Sequence, residues 1–425
     1  MKTVNKILER KIIPAITKNF HLHKIHVLVG SRQVGKTCIM KYLENKLENT
    51  IYLDVDRAFD LSMFESVDHF SRYVEIHRPD KKEKVTVFID EFQHLPVAGK
   101  IFKAIHDHFS NIRLVLSGSS SLNIMKSLDE SIAGRKRVYT IYPLDFEEYL
   151  HFSANRYYDY FCQTPDYSTV PEIFPELSRQ FEMFALMGGY PGVTLLEHQN
   201  EKIDELNEII QSYIEKDIRA ITQLDNILSF NKLLRRLGLN IGSLLNLQSL
   251  AADVGLNRDK LEKHLLVLAN TFIIQLVQPF YKNKINELKK MPKLFFYDNG
   301  IRNHLILNYQ ELETRVDKGA LIENCVWTEL AKNKSILQEI KFWRTTSKSE
   351  IDFIIASQGR YFPIEVKYQN NVSTIPRAMK SFIDTYASHR AWIMTKNQFF
   401  EVTYNNCKIT FLPAFFAAKI LKKIA

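Results

Sequence analysis

The first third of the chain alternates short apolar runs with segments of helical periodicity. The runs have the length of strands, and a segment such as 37–47 places Ile39, Met40 and Leu43 on one face of a helix. Alternation of this kind predicts an α/β fold, with a parallel sheet and helices on both of its faces. The predicted strands cover residues 25–29, 51–55, 85–90, 113–117 and 138–142.

The pattern changes after residue 145, where strand-like runs disappear. Long helical patterns, interrupted at 164–175 and by the glycine- and proline-rich turn 188–192, predict an all-helical lid up to residue 240. Two short helices joined by the turn 255–257 follow, and then two apolar runs separated by a lysine-rich stretch. Helix, turn, helix and hairpin, in that order, are the elements of a winged helix-turn-helix.

The C-terminal part returns to a mixed α/β pattern. A helix is predicted at 318–330, and strands at 340–344, 351–355 and 361–366. A chain of 425 residues is expected to hold about three domains, at roughly 150 residues each.

A phosphate-binding motif lies at residues 30–37, which read GSRQVGKT and match G-x-x-x-x-G-K-[ST] at each fixed position. The motif follows an apolar run and opens a helix, where backbone N–H groups and the helix dipole favour phosphate. Lys36 is expected to reach the β- and γ-phosphates, and the Thr37 hydroxyl to hold Mg²⁺. The sequence therefore predicts an ATP and Mg²⁺ site, formed also by Gly30, Ser31, Arg32, Gln33, Val34 and Gly35.

An acidic motif complements this loop. The apolar run 85–89 is followed by Asp90 and Glu91. Asp90 is expected to hold Mg²⁺ through water, and Glu91 to polarise the water that attacks the phosphate. A solvated acidic turn is the alternative, which the phosphate-binding motif disfavours.

Two more residues are candidates for the same reaction. Ser119 follows the next apolar run, at the edge of the sheet where ligands bind, and is a candidate γ-phosphate sensor. An ordinary turn is its alternative. Arg135 is a candidate arginine finger for a neighbouring copy, because a guanidinium stabilises the charge of phosphoryl transfer. That role implies a homo-oligomer, and a plain surface arginine is the alternative.

Charged residues of the C-terminal part form a second candidate site. Glu365 and Lys367 are two residues apart on a predicted strand, so their side chains face the same way. Asp352 lies on the preceding strand, joined through a predicted hairpin turn at 357–360, and Glu323 lies on the helix upstream. Such a set suits Mg²⁺-assisted phosphodiester hydrolysis, with the three carboxylates as metal ligands. A plain cross-strand charge pair is the alternative for Glu365 and Lys367.

The charge of the chain permits a nucleic-acid partner without requiring one. The net charge is +9, and residues 282–293 hold five lysines against one glutamate. These lysines lie where the wing is predicted, and would neutralise nucleic-acid phosphates without reading bases. A solvated hairpin loop is one alternative, and a winged helix that binds another protein is the second.

Other features of the composition exclude some classes of protein. The four cysteines are scattered without metal-binding spacing, so neither a disulfide framework nor a zinc site is expected, and a cytoplasmic location is predicted. No apolar run reaches 18 residues, so no membrane span is expected.

Taken together, the motifs resemble those of one family. A group of prokaryotic AAA-type P-loop ATPases carries similar motifs in the same order: GSRQVGKT, FIDEFQHLP, LSGSSS, AGRKRVYTIYPLDFEEYL, GGYPGV, FWRTTSKSEIDFII and FPIEVK. In that group a helix-turn-helix region follows the ATPase, and a C-terminal domain of unknown function is related to PD-(D/E)xK nucleases. The resemblance implies an AAA-like ATPase, with Lys36, Thr37, Asp90 and Glu91 in its nucleotide site. It also implies a restriction-endonuclease-like C-terminus.

Four segments are expected on this basis. They are a P-loop AAA-like ATPase core (1–145), a helical lid (146–240), a winged helix-turn-helix (241–312) and an α/β restriction-endonuclease-like domain (313–425). Three functions stay open: an ATP-driven nuclease, a regulatory switch that uses ATP turnover, and an ATPase that acts on a partner protein. Chemistry at Asp352, Glu365 and Lys367 would separate the first from the other two.

Overall fold

The computed structural model describes residues 8–77, 84–95, 98–118, 132–163, 171–218, 227–281 and 290–424. Contacts divide the chain into two compact units. The first consists of Met1–Tyr142, Gln211–Thr222 and Asn270–Phe272, and the second of Pro143–Ile210, Gln223–Ala269 and Ile273–Ala425. The chain therefore passes from one unit to the other five times. The division into four domains stays a prediction.

A five-stranded parallel sheet forms the centre of the first unit. Its strands are β1 (Ile25–Val29), β2 (Thr50–Asp54), β3 (Val85–Asp90), β4 (Ile112–Gly118) and β5 (Lys136–Thr140). The order is β2-β3-β4-β1-β5, so β4 lies between β1 and β3. The described helices of this unit are α1 (Ile13–Lys18), α2 (Lys36–Lys46), α3 (Ala58–Ser62), α4 (Val67–His77) and α5 (Ala98–His108). The predicted parallel α/β sheet is confirmed.

The core of the first unit explains why its strands are continuous apolar runs. Every residue of β1 and β3 is buried, as expected for a parallel sheet that is covered on both faces. The register pairs Val29 of β1 with Gly118 of β4 and Thr140 of β5. The carboxyl ends of these strands therefore meet at one edge of the sheet, where the nucleotide loop begins.

Two later segments of the chain complete the first unit. The ring of Phe272 meets that of Tyr142 edge to face, with the ring centres 5.9 Å apart. The hydroxyls of Tyr213 and Thr271 share a hydrogen bond of 2.6 Å. The first unit is thus assembled from separated parts of the sequence.

The second unit begins with helices. They are α6 (Phe146–Phe152), α7 (Tyr158–Gln163), α8 (Phe174–Met187), α9 (Pro191–Leu195), α10 (Gln199–Ser212) and α11 (Ile227–Leu239). The described residues between 146 and 240 contain no strand, in line with the helical pattern. Only residues 188–190 of the predicted turn separate α8 from α9, because α9 already begins at Pro191. The Asp298 carboxylate accepts a 2.7 Å hydrogen bond from the Gly189 N–H in this turn. None of the described helices combines the length and hydrophobicity that a membrane span requires.

A helix pair and a hairpin follow. They comprise α12 (Leu247–Val254), α13 (Arg258–Asn270), β6 (Ile274–Val277), β7 (Lys293–Phe296) and, after the hairpin, α14 (Asn299–Leu305). Gly255, with φ of +69°, ends α12, and β6 and β7 pair antiparallel. The predicted elements are present in the predicted order, and their identity as a winged helix stays a prediction. Lys282, Lys284 and Lys289 lie outside the described residues.

A six-stranded mixed sheet dominates the C-terminal part of the second unit. Helix α15 (Lys318–Asn333) comes first, and β8 (Gln338–Arg344), β9 (Glu350–Ser357), β10 (Arg360–Val366), α16 (Arg377–Tyr386), β11 (Arg390–Thr395), β12 (Phe400–Tyr404), β13 (Cys407–Pro413) and α17 (Ala417–Ile420) follow. The strand order is β12-β13-β11-β10-β9-β8. Strands β8, β9 and β10 are antiparallel neighbours, whereas β11 runs parallel to β10. Gln358 and Gly359, both with positive φ, form the predicted hairpin turn between β9 and β10.

Candidate functional site

The nucleotide loop, residues 30–37, joins β1 to α2. Gly35 has φ of +94° directly before the helix, a conformation that glycine adopts at little cost. Gly30 is tightly packed, because a Cβ atom there would overlap the carbonyl oxygen of Ile141. Both fixed glycines of the motif are therefore required by the backbone itself.

Lys36 is folded back over its own loop. Its side chain is buried, and Nζ donates hydrogen bonds to the carbonyl oxygens of Gly30 (3.0 Å) and Ser31 (2.8 Å). Carbonyl oxygens are weaker partners for an ammonium than phosphate oxygens are. Lys36 Nζ thus lies against the backbone of the loop that is predicted to bind phosphate.

The Asp90 carboxylate is held by hydroxyl groups. Thr37 and Tyr52 each donate to Oδ2 at 2.7 Å, and the Ser117 hydroxyl donates to Oδ1. Ser117 lies on β4, which is between β1, the strand before the nucleotide loop, and β3, the strand that ends in Asp90. This position allows the Ser117 hydroxyl to reach Asp90. Burial and the bond to Asp90 raise the pKa of Tyr52, so that it remains a donor. The structure thus brings together Thr37 and Asp90, the two predicted ligands of Mg²⁺.

Glu91 adopts a left-handed backbone conformation, with φ of +55°. For a residue with a side chain this costs on the order of 1 kcal/mol or more, and such conformations cluster at functional sites. The Gln93 amide donates to Glu91 Oε2, which holds the carboxylate in one orientation. Glu91 directly follows Asp90 in the sequence, and its role as general base stays a prediction.

Arg10 was not predicted from the sequence. It is 6% exposed, and its guanidinium donates to the Val34 carbonyl (2.7 Å) and to the Tyr142 carbonyl (2.9 Å). It thereby ties the nucleotide loop to the segment that follows β5. A lone arginine well before the loop belongs to no motif, so no sequence pattern indicated this contact.

The two remaining candidates of the first unit stay predictions. Ser119 lies outside the described residues, and Ser117, two residues earlier in the same motif, is the serine that contacts Asp90. Arg135 directly precedes β5, and the first residue of β5 pairs with the first residue of β1. Arg135 therefore lies at the amino ends of these strands, whereas the nucleotide loop follows the carboxyl end of β1. Its guanidinium donates to both carboxylate oxygens of Asp107 (2.7 and 3.1 Å), which lowers the pKa of Asp107 to about 2. An arginine-finger role would therefore need the site of a neighbouring copy.

Four acidic side chains of the second unit form what we call the carboxylate cluster: Glu323, Glu350, Asp352 and Glu365. Helix α15 contributes the first, β9 the next two and β10 the last. The β9–β10 register pairs Phe353 with Ile364, which makes Asp352 and Glu365 neighbours across the strands. The Val366 N–H donates to Asp352 Oδ2 at 2.8 Å. Glu350 was not among the residues predicted from the sequence.

Glu365 is paired on one side only. Lys367 Nζ lies 2.7 Å from Glu365 Oε1, so the two side chains point the same way. Glu365 is 5% exposed, and among the described residues its Oε2 atom has no hydrogen-bond partner. A buried carboxylate oxygen without a donor is costly, and a metal ion is one kind of partner that would remove this cost.

Lys293 brings a positive charge into the cluster. Its Nζ lies 3.1 Å from Glu323 Oε1 and 2.6 Å from Glu350 Oε1, and its side chain is 3% exposed. Arg344 pairs with the other oxygen of Glu350 at 2.6 Å. Lys293 therefore does not belong to the solvated, phosphate-facing lysine stretch that the sequence predicts. The only sequence feature that could have indicated the burial of Lys293 is its position directly before the apolar residues of β7.

Burial raises the pKa values of three carboxyl groups of the cluster, those of Glu323, Asp352 and Glu365. Burial, and then the charge of Asp352, raise the pKa of Glu323 to about 8 and that of Glu365 to about 7. Burial also raises the pKa of Asp352. In the described part of the chain, no three His, Cys, Asp or Glu side chains are grouped as metal ligands. The three predicted ligands of the C-terminal part are thus close together, but ammonium groups hold two of them.

Comparisons with known proteins match three segments of the chain. A family model described as an AAA domain matches residues 22–150. Two models described as domains of unknown function, DUF8612 and DUF4143, match residues 178–312 and 318–415. The AAA match includes the nucleotide loop, Asp90 and Glu91. With the site geometry, it supports a P-loop ATPase of the AAA type.

Two relatives that are similar over most of the chain are described only as uncharacterized proteins. An uncharacterized protein of Methanocaldococcus jannaschii is 25% identical over 90% of this chain and 81% of its own length. One from Haemophilus influenzae is 24% identical over 81% of this chain and 82% of its own length. Among solved structures, the Walker-type ATPase PABY2304 of Pyrococcus abyssi is 16% identical, with a TM-score of 0.48 over 70% of this chain and 95% of that one.

Proposed function

We propose that the first unit binds ATP together with Mg²⁺ and hydrolyses it. The observation that carries this proposal is the 2.7 Å contact between Thr37 and Asp90, at the end of the nucleotide loop. Mg²⁺ bound with the nucleotide would neutralise charge on the β- and γ-phosphates. The neutral hydroxyls around Asp90 leave its negative charge available to the ion.

The other residues of the site have distinct roles in this proposal. Lys36 exchanges its two carbonyl partners for phosphate oxygens and so ties nucleotide binding to the shape of the loop. Glu91 orients the attacking water and accepts its proton, with Gln93 fixing the carboxylate. Arg10 keeps the loop in position through the Val34 carbonyl.

The test separates binding from turnover. Lys36→Ala should weaken ATP binding measured by calorimetry, whereas Glu91→Gln should keep binding and lose phosphate release. Lys41→Ala, an exposed lysine on the same helix, is the matched control and should change neither. A wild-type protein that binds no adenine nucleotide would contradict the proposal.

A second activity is proposed for the second unit, namely Mg²⁺-dependent hydrolysis of phosphodiester bonds. The observation in its favour is the buried Glu365 oxygen without a donor, beside Asp352. Asp352 and Glu365 would hold the ion, with Glu323 in support, and the ion would activate water and neutralise the phosphate. Lys367 would steady the phosphate or orient that water.

The nuclease proposal is tested with single- and double-stranded DNA and RNA, in Mg²⁺ or Mn²⁺, with and without ATP. Asp352→Asn should abolish cleavage and leave ATP turnover unchanged. If no substrate is cut, or if cutting survives Asp352→Asn, the regulatory switch becomes the better interpretation. In that case the second unit would respond to ATP turnover without chemistry of its own.

Non-specific binding of nucleic acid is proposed on the net charge of +9 and on the lysines of residues 282–290. Replacing Lys282, Lys284, Lys289 and Lys290 by Gln should weaken duplex binding. It should also flatten the dependence on salt, by up to about 0.9 in log–log slope for each phosphate that the variant no longer neutralises. Unchanged affinity and slope would mean that nucleic acid binds elsewhere on the protein.

A further inference from the structure

Lys293 lies among the acidic side chains that would otherwise share a metal ion. It is the first residue of β7, and its backbone position is fixed by pairing with Val277 and by a bridge to Leu244. Its ammonium meets both Glu323 and Glu350 and lies 5.5 Å from the centre of the Phe342 ring. Lys293 thus belongs to the β6–β7 pair, whereas three of the four carboxylates belong to the six-stranded sheet.

We propose that Lys293 is a built-in counter-cation that competes with a divalent metal ion for Glu323 and so lowers the metal affinity of the carboxylate cluster. This inference rests on the proposed metal-dependent activity for its biological meaning. It has its own physical test, because metal binding can be measured without any cleavage.

Charge balance is the first argument. When all four carboxyl groups are ionised, as metal binding requires, they face three cationic side chains and one net negative charge remains: Glu323, Glu350, Asp352 and Glu365 against Lys293, Lys367 and Arg344. Without Lys293 the net charge becomes two negative charges. A divalent ion is attracted more strongly to the second arrangement, and the effect is large because the groups are buried.

Ligand orientation is the second argument. Glu323 Oε1 is turned towards Lys293, at 3.1 Å, while Glu365 Oε2 is left without a donor. The ammonium competes with an ion for Glu323 Oε1, so an ion that takes both oxygens of Glu323 has to displace Lys293 from it. This competition explains why the acidic residues lie close together and yet, in the described part of the chain, are not grouped as metal ligands.

The test measures Mn²⁺ binding to the full, nucleotide-free chain by titration calorimetry and by electron paramagnetic resonance. Lys293→Met removes the charge and keeps the length of the side chain. It should bind Mn²⁺ on the order of tenfold to a hundredfold more tightly than wild type. Lys293→Arg should resemble wild type. Lys408→Met is the control for net charge, because Lys408 pairs with Glu401 at an exposed site and should not affect Mn²⁺ binding.

A double variant protects the test against misfolding. Removing Lys293 leaves Glu323 and Glu350 without their shared partner, so Lys293→Met can destabilise the unit. Lys293→Met combined with Glu350→Gln restores the net charge of the wild-type cluster while leaving Glu323 released. It should unfold at a temperature near that of wild type and still bind Mn²⁺ more tightly.

The outcomes distinguish this inference from the nuclease proposal. Equal Mn²⁺ affinity in wild type, Lys293→Met and the double variant overturns the inference, even if wild type cuts nucleic acid and Asp352→Asn does not. Tighter binding that disappears when Asp352→Asn is added supports the inference, even if no variant cuts any substrate. Tighter binding that survives Asp352→Asn places the ion outside the cluster and overturns the inference.

Discussion

The nucleotide loop and the carboxylate cluster both concentrate charge near the ends of buried strands, but they hold their carboxylates in different ways. Asp90 is surrounded by the hydroxyls of Thr37, Tyr52 and Ser117. In the cluster, by contrast, the ammonium of Lys293 lies between Glu323 and Glu350. Hydroxyls fix the position of a carboxylate and leave its charge in place, whereas an ammonium fixes the position and cancels the charge.

The kind of group that holds the carboxylates determines how readily each site can bind a metal ion. A buried carboxylate that is held by neutral donors still attracts a cation, and Mg²⁺ bound together with a nucleotide would supply one. A cluster that already contains its cations admits a metal only by exchange. Four predictions test this contrast, from the largest expected effect to the smallest.

Neutralising one carboxylate in each site should give very different effects on ATP turnover. Asp90→Asn should lower Mg²⁺-dependent hydrolysis on the order of a hundredfold to a thousandfold, because it removes the charge that the three hydroxyls hold in place. Asp352→Asn should leave turnover at the wild-type level. Phosphate release at saturating ATP is the measurement, and equal losses in both variants would refute the contrast.

A second prediction concerns Arg10, which links the nucleotide loop to Tyr142, far away in the sequence. Arg10→Met removes two hydrogen bonds from a charged donor to Val34 and Tyr142. ATP affinity measured by calorimetry should fall about tenfold to a hundredfold. The exposed Arg72→Met on α4 serves as the control. Wild-type affinity in Arg10→Met would mean that the loop is shaped by its own residues alone.

Acid should weaken the first unit through His26. This residue is fully buried in β1, and burial, followed by the charges of Arg113 and Arg137, lowers its pKa to about 4. Since the unfolded chain takes up the proton near pH 6.5 and the folded chain resists it, the free energy of unfolding should fall from pH 6.5 to pH 4. Denaturant titrations of the first unit's transition, in the full chain, should show this slope in wild type and a flatter one in His26→Gln. His69→Gln, at an exposed histidine, should keep the wild-type slope.

The smallest effect is expected at Arg135. Its pair with Asp107 is exposed, so Arg135→Ala should melt within error of wild type. If Arg135 acts as a finger for a neighbouring copy, the same variant should lose the rise in turnover per molecule that assembly brings. Turnover should be followed over a range of protein concentration, with light scattering to detect assembly. A wild-type turnover number that stays flat as assembly proceeds would remove the finger role.

Contiguous patterns made the first unit predictable. The loop from Gly30 to Thr37 and the pair Asp90–Glu91 each lie within a few residues of sequence, and their geometry follows from the strand and helix on either side. The alternating strands and helices were equally readable, because strands such as β1 and β3 are buried on both faces. Arg10 and Tyr52 were not predictable, since what makes each of them part of the site is a contact made through the fold.

The carboxylate cluster shows the complementary limit. Strand period and a two-residue turn were sufficient to bring Asp352 and Glu365 together and to point Lys367 to the same side. The role of Lys293 was predicted wrongly, because four nearby lysines suggested a solvated stretch while burial in β7 turned this one inward. Local composition indicates where charge lies along a chain, but only packing determines which charges face each other.

The segmented make-up of the first unit has a consequence for inheritance. Its three pieces alternate along the chain with pieces of the second unit, and residues 1–142 alone lack Phe272 against Tyr142 and the Tyr213–Thr271 bond. A single recombination breakpoint cannot transfer such an ATPase to another protein with all of its parts. Transfer of the complete first unit to another protein would therefore have to carry the intervening pieces of the second unit with it.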